Sequence, residues 1–289
     1  MNITAKTTLT ALFASPCRHS LSPIMHNKSF EKLSLDYVYL AFEVDKNNLK
    51  EAVASIKTLN MRGVNLSMPN KKEVIQYLDN ISESAKLSQS VNTIVNDNGV
   101  LTGYSTDGKG FIKSLEEEDI NVRDSDVTIL GIGGASISII TEFALYGVKE
   151  ISVFKRDNNW TEQKKIIDNI QDKTNCKIEL YTLDNKKALK KQIDKSKLLI
   201  NATSVGMKDD ASIIEDKTFF RDDLIVADCI YSPAKTKLLK IAEKENCKII
   251  NGMGMLLYQG ALAFEMWTSK EMPVDYIKNM GLTQITKIY

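Results

Sequence analysis

An apolar run at residues 127–130 passes directly into Gly131-Ile132-Gly133-Gly134 and then into a helical pattern over residues 135–146. A strand that ends on glycine and reopens as a helix is the setting of a phosphate-binding turn. Gly131 permits the tight turn. Gly133 lets the backbone approach a pyrophosphate, and the helix N-terminus supplies positive partial charge. Ala135 and Ser136 are small enough for helix and strand to pack closely. Ser136 stands where G-x-G-x-x-G has its third glycine, so the pattern is partial. A plain strand–helix turn with no ligand is the alternative.

The turn opens a rhythm. Strand-like stretches at 151–154, 177–181, 198–201, 224–228 and 248–250 are separated by helical ones at 161–172, 187–193 and 235–245. Such alternation predicts a parallel sheet with helices on both faces. Before residue 120 the texture differs. Residues 9–14, 37–44, 64–66, 91–95 and 100–104 read as strands. The last two are joined by Asp97-Asn98-Gly99, a hairpin signal. Residues 22–33, 49–59 and 71–78 read as helices. In the second of these, Leu49, Val53, Ile56 and Leu59 share one face. Residues 255–267 and 276–280 are helical and expected to return to the first part of the chain. The expected class is α/β. A substrate-binding and catalytic domain spans 1–112, a Rossmann-like parallel-sheet nucleotide domain 113–254, and the C-terminal helices 255–289 pack back on the first domain.

Composition narrows the partners. A length of 289 residues suits two domains, and a hydrophobic share of 43% supports a sizeable core. With 38 Lys+Arg against 37 Asp+Glu, the net charge of +1 argues against duplex nucleic acid as the main partner. A small anion needs only two or three local donors and stays open. Cys17, Cys176, Cys229 and Cys247 show no Cys-x-x-Cys spacing, and there are only 2 histidines, so no metal site is expected. Scattered cysteines fit a reducing compartment. No apolar run is long enough to cross a membrane, and the start of the chain lacks the apolar run of a signal peptide. A cytoplasmic protein with no membrane partner is the expectation. Self-association as a homodimer is left open.

Polar clusters punctuate both halves. In His19-Ser20-Leu21-Ser22-Pro23 two hydroxyls precede a helix, a combination suited to a carboxylate, although Ser22 alone would read as a helix cap. Asn65-Leu66-Ser67-Met68-Pro69-Asn70-Lys71 brings an amide, a hydroxyl and an ammonium together. Asn92-Thr93 lies among apolar strand residues. Thr106-Asp107-Gly108 follows another strand, where a lone Asp before Gly commonly marks a turn. Together these residues form the donor and acceptor set that a small polyol acid needs. Lys155-Arg156-Asp157 follows the strand after the glycine turn, where an adenosine ribose is read. Its cations favour NADP, its carboxylate favours NAD, and the charges leave the choice open. The loops Asn201 to Met207, Tyr231-Ser232-Pro233 and Asn251 to Gln259 all follow predicted parallel strands. That places them on the sheet edge where ligands bind.

Taken in order, these motifs resemble the shikimate dehydrogenase family over almost the whole chain, from Ser15-Pro16 to Trp267. Three details resemble its quinate/shikimate branch. Ser67 stands where the biosynthetic enzymes usually carry Thr, Lys155-Arg156-Asp157 includes an acid, and the stretch from Thr236-Lys237-Leu238-Leu239 to Trp267 is similar. The chain departs from the family at Ala14, often Gly, and at Ser105, usually Asn. The resemblance implies reversible hydride transfer between shikimate, or quinate, and NAD or NADP. Lys71 matches the family's proton-accepting lysine, and Asp107 the aspartate paired with it. A lysine acts as a base near neutral pH only when burial or placement lowers its pKa. Ser20 and Ser22 match the carboxylate-binding pair, and Ser67, Asn92, Tyr231 and Gln259 match contacts to the ring hydroxyls. Ile132, Gly133, Gly134 and Ala135 match the pyrophosphate turn. Lys155, Arg156 and Asp157 match the ribose-reading loop, and Cys229 and Gly252 the nicotinamide side. Two alternatives stay open: a cofactor-binding sensor of the same fold with little turnover, and another Rossmann enzyme such as a methylene-tetrahydrofolate dehydrogenase. A pterin has no need of the Ser20/Ser22 pair.

Overall fold

The computed structural model describes residues 2–157 and 159–280. In chain order, the first elements are β1 (Thr8–Ala14), α1 (Ser22–Lys32), β2 (Tyr37–Glu43), α2 (Leu49–Thr58) and β3 (Gly63–Leu66). A 3-10 helix (Glu73–Tyr77), β4 (Asn80–Ile81), α3 (Glu83–Ser88), β5 (Thr93–Asp97) and β6 (Val100–Tyr104) follow. Next come α4 (Asp107–Glu116), β7 (Asp126–Leu130), α5 (Gly134–Tyr146), β8 (Glu150–Lys155), α6 (Thr161–Lys173), β9 (Lys177–Thr182) and α7 (Lys186–Lys195). Then β10 (Leu198–Asn201), a second 3-10 helix (Lys217–Phe219), β11 (Ile225–Asp228), α8 (Lys237–Lys244) and β12 (Lys248–Ile250) lead to α9 (Met253–Thr268) and α10 (Val274–Asn279). One compact unit takes in the chain up to Thr106 and again from Leu257. The other is Asp107–Leu256.

The first unit holds a six-stranded sheet in the order β2-β1-β3-β5-β6-β4. β1 runs parallel to β2 and β3, while β5 is antiparallel to both β3 and β6. Asn98 and Gly99 take φ of 53° and 91°, as a two-residue hairpin turn requires. Asn96 Oδ1 accepts from the Gly99 N–H at 2.8 Å and closes that turn. On α2, Leu49, Val53 and Ile56 enter the core with Val64, Leu66, Ile94 and Leu101. Leu59 does not join them. The helix stops at Thr58 and the chain turns at Asn60, with φ of 48°, leaving Leu59 61% exposed. Residues 71–78 give only the short 3-10 helix, because the chain must reach β4 in time to pair with β6.

The C-terminal helices belong to this unit from Leu257 on. Trp267 is buried, and its Nε1 donates to Ile94 O on β5 at 3.0 Å. Arg62 donates to Trp267 O at 2.9 Å and to Met266 O at 3.1 Å, satisfying carbonyls that the end of α9 leaves open. Gly63 is the hole that admits the indole. A Cβ there would lie 2.0 Å from Trp267 Nε1 and 2.4 Å from Ile94 O.

The second unit is a fully parallel six-stranded sheet, β12-β11-β10-β7-β8-β9. Strand order reverses between β7 and β10, so the crevice at a topological switch point opens beyond their carboxyl ends. The glycine turn follows β7 and the loop from Ala202 follows β10. At Asp107 the expected turn is replaced by the start of α4. Gly108 lets that helix press against α5, where a Cβ would lie 2.2 Å from Ser138 O.

Candidate active site

In the first unit the polar clusters converge on one buried layer. α1 begins without a side-chain cap, so Ser22 is not the cap its position suggested. Ser20 Oγ instead accepts from the Ser22 N–H at 3.2 Å, and Pro23, in the first turn, has no N–H to satisfy. Ser22 is 7% exposed and lies beside Tyr39 on β2, whose phenol it interacts with. Tyr39 Oη donates to Asn65 Oδ1 at 2.9 Å. Asn65 Nδ2 donates onward to Thr93 Oγ1 at 3.1 Å and to Asn92 O at 3.3 Å. Asn92 Nδ2 donates to Thr106 Oγ1 at 2.9 Å and to Gln259 Oε1 at 3.3 Å. The Thr106 N–H donates to Asn92 Oδ1 at 2.7 Å, and its hydroxyl donates to Gln259 O at 3.1 Å. Hydrogen bonds thus run without a break from Tyr39 on β2 through β3 and β5 to α9.

Of these residues, Ser20, Ser22, Asn92 and Gln259 were expected from the sequence, and Thr106 lies in a motif singled out there, whereas Tyr39 was missed. Tyr39 reads as an ordinary strand aromatic, and its polar role depends on Asn65, 26 residues away. Burial pushes the Tyr39 phenol above its usual range, so it stays a neutral donor. His26 stacks on its ring at 4.4 Å, with Phe30, Phe264 and Trp267 around it. Neither His26 nitrogen has a hydrogen-bond partner among the described residues, and burial lowers its pKa to about 3. Ser67 and Lys71 lie on the loop after β3, both partly buried. The Ser67 N–H donates to Phe13 O at 3.2 Å, and the Val91 N–H donates to Lys71 O at 2.9 Å.

In the second unit the glycine turn divides by residue. Gly131 has φ of 98°, and a Cβ there would lie 2.6 Å from Thr203 Cγ2, so glycine is required by conformation and by space. Ser136 replaces the third glycine without loss: it is buried, and its Oγ donates back to Gly131 O at 2.7 Å. Gly133 precedes α5 with no side-chain cap, and a Cβ on Gly133 or Gly134 would meet nothing within 4 Å. Uncapped first-turn N–H groups facing open space make a cradle that fits a pyrophosphate. At the end of β8, Lys155 pairs with Asp157 at 2.9 Å, and its ammonium lies 5.1 Å from the centroid of the Trp160 ring. That pairing, with Lys155 the largest cause, holds the Asp157 carboxyl below its usual range, while Arg156 is exposed.

Beyond β10 and β11 a single carboxylate ties the loops together. Asp228 is fully buried and accepts from the Ile230 N–H at 2.9 Å, Asn201 Nδ2 at 3.1 Å and Thr236 Oγ1 at 2.8 Å. Asn201 Oδ1 in turn accepts from the Thr203 hydroxyl at 2.7 Å, and Thr236 caps α8. Burial pushes the Asp228 carboxyl up. Burial first, then the Asp228 and Asp107 charges, push the Cys229 thiol up, so it stays protonated and is no nucleophile. Gly252 meets the next loop closely: a Cβ would lie 2.1 Å from Cys229 O, and its N–H donates to Ile230 O at 3.0 Å. Burial also raises the Tyr231 phenol. Asp107 is 6% exposed at the first position of α4.

Comparison with known proteins gives the same grouping. Two family models match: the shikimate dehydrogenase substrate binding domain over residues 12–94, and the shikimate 5'-dehydrogenase C-terminal domain over residues 252–279. A Listeria innocua protein named shikimate dehydrogenase (NADP(+)) is 49% identical over 281 residues, covering 96% of this chain and 97% of that one. The crystal structure of shikimate 5-dehydrogenase from Listeria monocytogenes in complex with shikimate and NAD superposes with a TM-score of 0.94. It shares 48% identity and is matched over 97% of this chain and 98% of its own. Quinate dehydrogenase from Corynebacterium glutamicum in complex with NAD shows a TM-score of 0.86 at 26% identity, over 96% and 99% of the two chains.

Proposed function

This chain belongs to the shikimate dehydrogenase family, and on that premise we propose the reaction and the division of labour among its residues. It is an NAD(P)-dependent oxidoreductase that interconverts shikimate and 3-dehydroshikimate, a step of aromatic amino acid biosynthesis. Quinate and 3-dehydroquinate are a second pair within the same reading. A nicotinamide bound in the second unit would supply the hydride acceptor and donor. The turn Ile132, Gly133, Gly134 and Ala135 holds its pyrophosphate. Lys155, Arg156 and Asp157 read the ribose, and Cys229 and Gly252 line the nicotinamide side.

Lys71 takes the hydroxyl proton as the alcohol carbon loses hydride, and gives it back in the reverse direction. Asp107 holds that hydroxyl and orients the lysine. Ser20 and Ser22 bind the substrate carboxylate through hydroxyls set beside a helix N-terminus. Ser67, Asn92, Tyr231 and Gln259 hold the ring hydroxyls. We place the protein in the cytoplasm, because scattered cysteines without Cys-x-x-Cys spacing fit a reducing compartment.

The observation that carries the reading is the layer from Ser22 through Tyr39, Asn65 and Asn92 to Gln259. Burying so many amides and hydroxyls costs stability unless each is paired, and a core needed only for packing would be apolar there. A polyol acid is the ligand whose groups match such a surface. The test is an initial-rate matrix of shikimate and quinate against NAD and NADP. Lys71→Ala is expected to lose about 10²–10⁴-fold in kcat, the scale of a general base. Turnover of neither acid, or a mutant as fast as the parent, would sink the proposal.

A further inference from the structure

We propose that Asn70 is the positioning residue that fixes Lys71, an inference that rests on Lys71 being the proton acceptor. Asn70 is fully buried. Its Nδ2 donates to Val44 O at 2.8 Å and to Phe13 O at 3.3 Å. Phe13 lies on β1, and Val44 directly follows β2, so one amide grips the carboxyl ends of two adjacent strands. The backbone of the same residue is held on both sides. Its N–H donates to Ser67 O at 2.9 Å, and its carbonyl accepts from the Val74 N–H at 3.0 Å. Lys71 comes next in the chain, and its own carbonyl accepts from the Val91 N–H at 2.9 Å.

The choice of asparagine is informative. Its Oδ1 is buried and has no hydrogen-bond partner among the described residues. An unpaired buried acceptor destabilises the fold, so packing alone does not account for the residue. What asparagine offers is two N–H donors on a stem short enough to meet two carbonyls at once, and no apolar residue offers either. The consequence falls on Lys71. Its ammonium sits at the end of a flexible four-carbon stem, so the place from which that stem starts sets the volume the ammonium can sample. A loop free to slide would move the amine off the substrate hydroxyl, and a misplacement of about 1 Å costs about 10²-fold in rate.

The experiment is a double-mutant cycle with shikimate and NADP, using N70L, K71A and N70L/K71A, with urea unfolding followed by the fluorescence of Trp267, which lies in the same unit as Asn70, to certify the fold. Leucine keeps the shape of asparagine and removes both donors. N70L is expected to lower kcat by about 10²-fold, with little change in either KM, and to shift the acidic limb of the kcat pH profile, the limb on which a general base loses its proton. In the K71A background the same substitution should cost nothing further, because the group it positions is gone. N70S, which adds no bulk and reaches neither carbonyl, takes its place if N70L does not fold. A folded N70L or N70S with the parent kcat would overturn the inference, as would an equal loss with and without Lys71. An undiminished K71A would instead overturn the role of Lys71 itself, so the two failures are distinct.

Discussion

His26 gives the sharpest quantitative expectation. Burial is the sole cause of its shift, from an ordinary 6.5 to about 3 in the folded chain. The folded state therefore keeps the imidazole neutral, while the unfolded chain takes up a proton below pH 6.5. Stability contributed by this group is present above the unfolded pKa and is lost as pH falls. A pKa unit is worth about 1.4 kcal/mol, so the ceiling is about 5 kcal/mol, reached only near the folded pKa. Between pH 7 and pH 5 the expected loss is about 2 kcal/mol.

The perturbation is His26→Phe, which keeps the stack on Tyr39 and removes the titrating nitrogens. Overpacking from the larger ring shifts stability equally at every pH, so the difference in slope isolates the proton. Urea unfolding from pH 5 to 8 can be followed by Trp267 fluorescence, since that indole lies 5.3 Å from the imidazole between ring centroids. A Trp160→Phe background removes the second of the chain's 2 tryptophans from the signal. The parent should lose about 2 kcal/mol more than the variant on going from pH 7 to pH 5. Parallel pH dependences in the two proteins would refute the reasoning, because they would mean that His26 gains its proton without leaving the aromatic box.

Five further substitutions separate folding from binding. Gly63→Ala would place a Cβ 2.0 Å from Trp267 Nε1, so the indole must leave its bond to Ile94. A loss of about 1–3 kcal/mol with red-shifted fluorescence is expected in denaturant titrations. Gly133→Ala meets nothing within 4 Å of its own chain. Its melting temperature should match the parent while the KM for NADP rises, whereas Gly131→Ala should lower the melting temperature itself. Asp228→Asn turns an amide donor toward a neighbouring donor, Asn201 Nδ2. It should cost about 1–3 kcal/mol in urea unfolding and raise the cofactor KM, with Thr236→Val showing the same pattern more weakly.

The parts of this protein legible in the sequence are those whose cause is local. The parallel sheet follows from alternation of short apolar runs with helical ones, and the hairpin from Asn98-Gly99, whose backbone needs are met within two residues. The glycine turn is legible for the same reason. Ser136 fits there through a bond to Gly131, five residues back. Errors arose where a tertiary demand overrode the pattern. Leu59 continues the apolar stripe of α2, yet the chain must turn at Asn60 to enter β3, and the stripe ends in solvent. Residues 71–78 have helical spacing, but pairing of β4 with β6 cuts the helix to a 3-10 turn. Asp107 has the sequence signature of a turn and the structure of a helix start.

The site shows the same division more sharply. Ser20, Ser22, Asn92 and Gln259 could be picked out because each lies in a short polar motif. Tyr39 and Asp228 could not, since each resembles its apolar or turn-forming neighbours until its partner is known. Asp228 receives hydrogen bonds from residues 2, 8 and 27 positions away, and only one of those separations is short enough to read in a local motif. Such a residue is costly alone and favourable only when all its donors arrive together. Its identity is therefore set by the assembled sheet edge and not by the strand that carries it. Asn70 follows the same logic. Its neighbour Lys71 draws the eye, but what asparagine does there is decided by the ends of β1 and β2, which in the sequence lie 57 and 26 residues upstream.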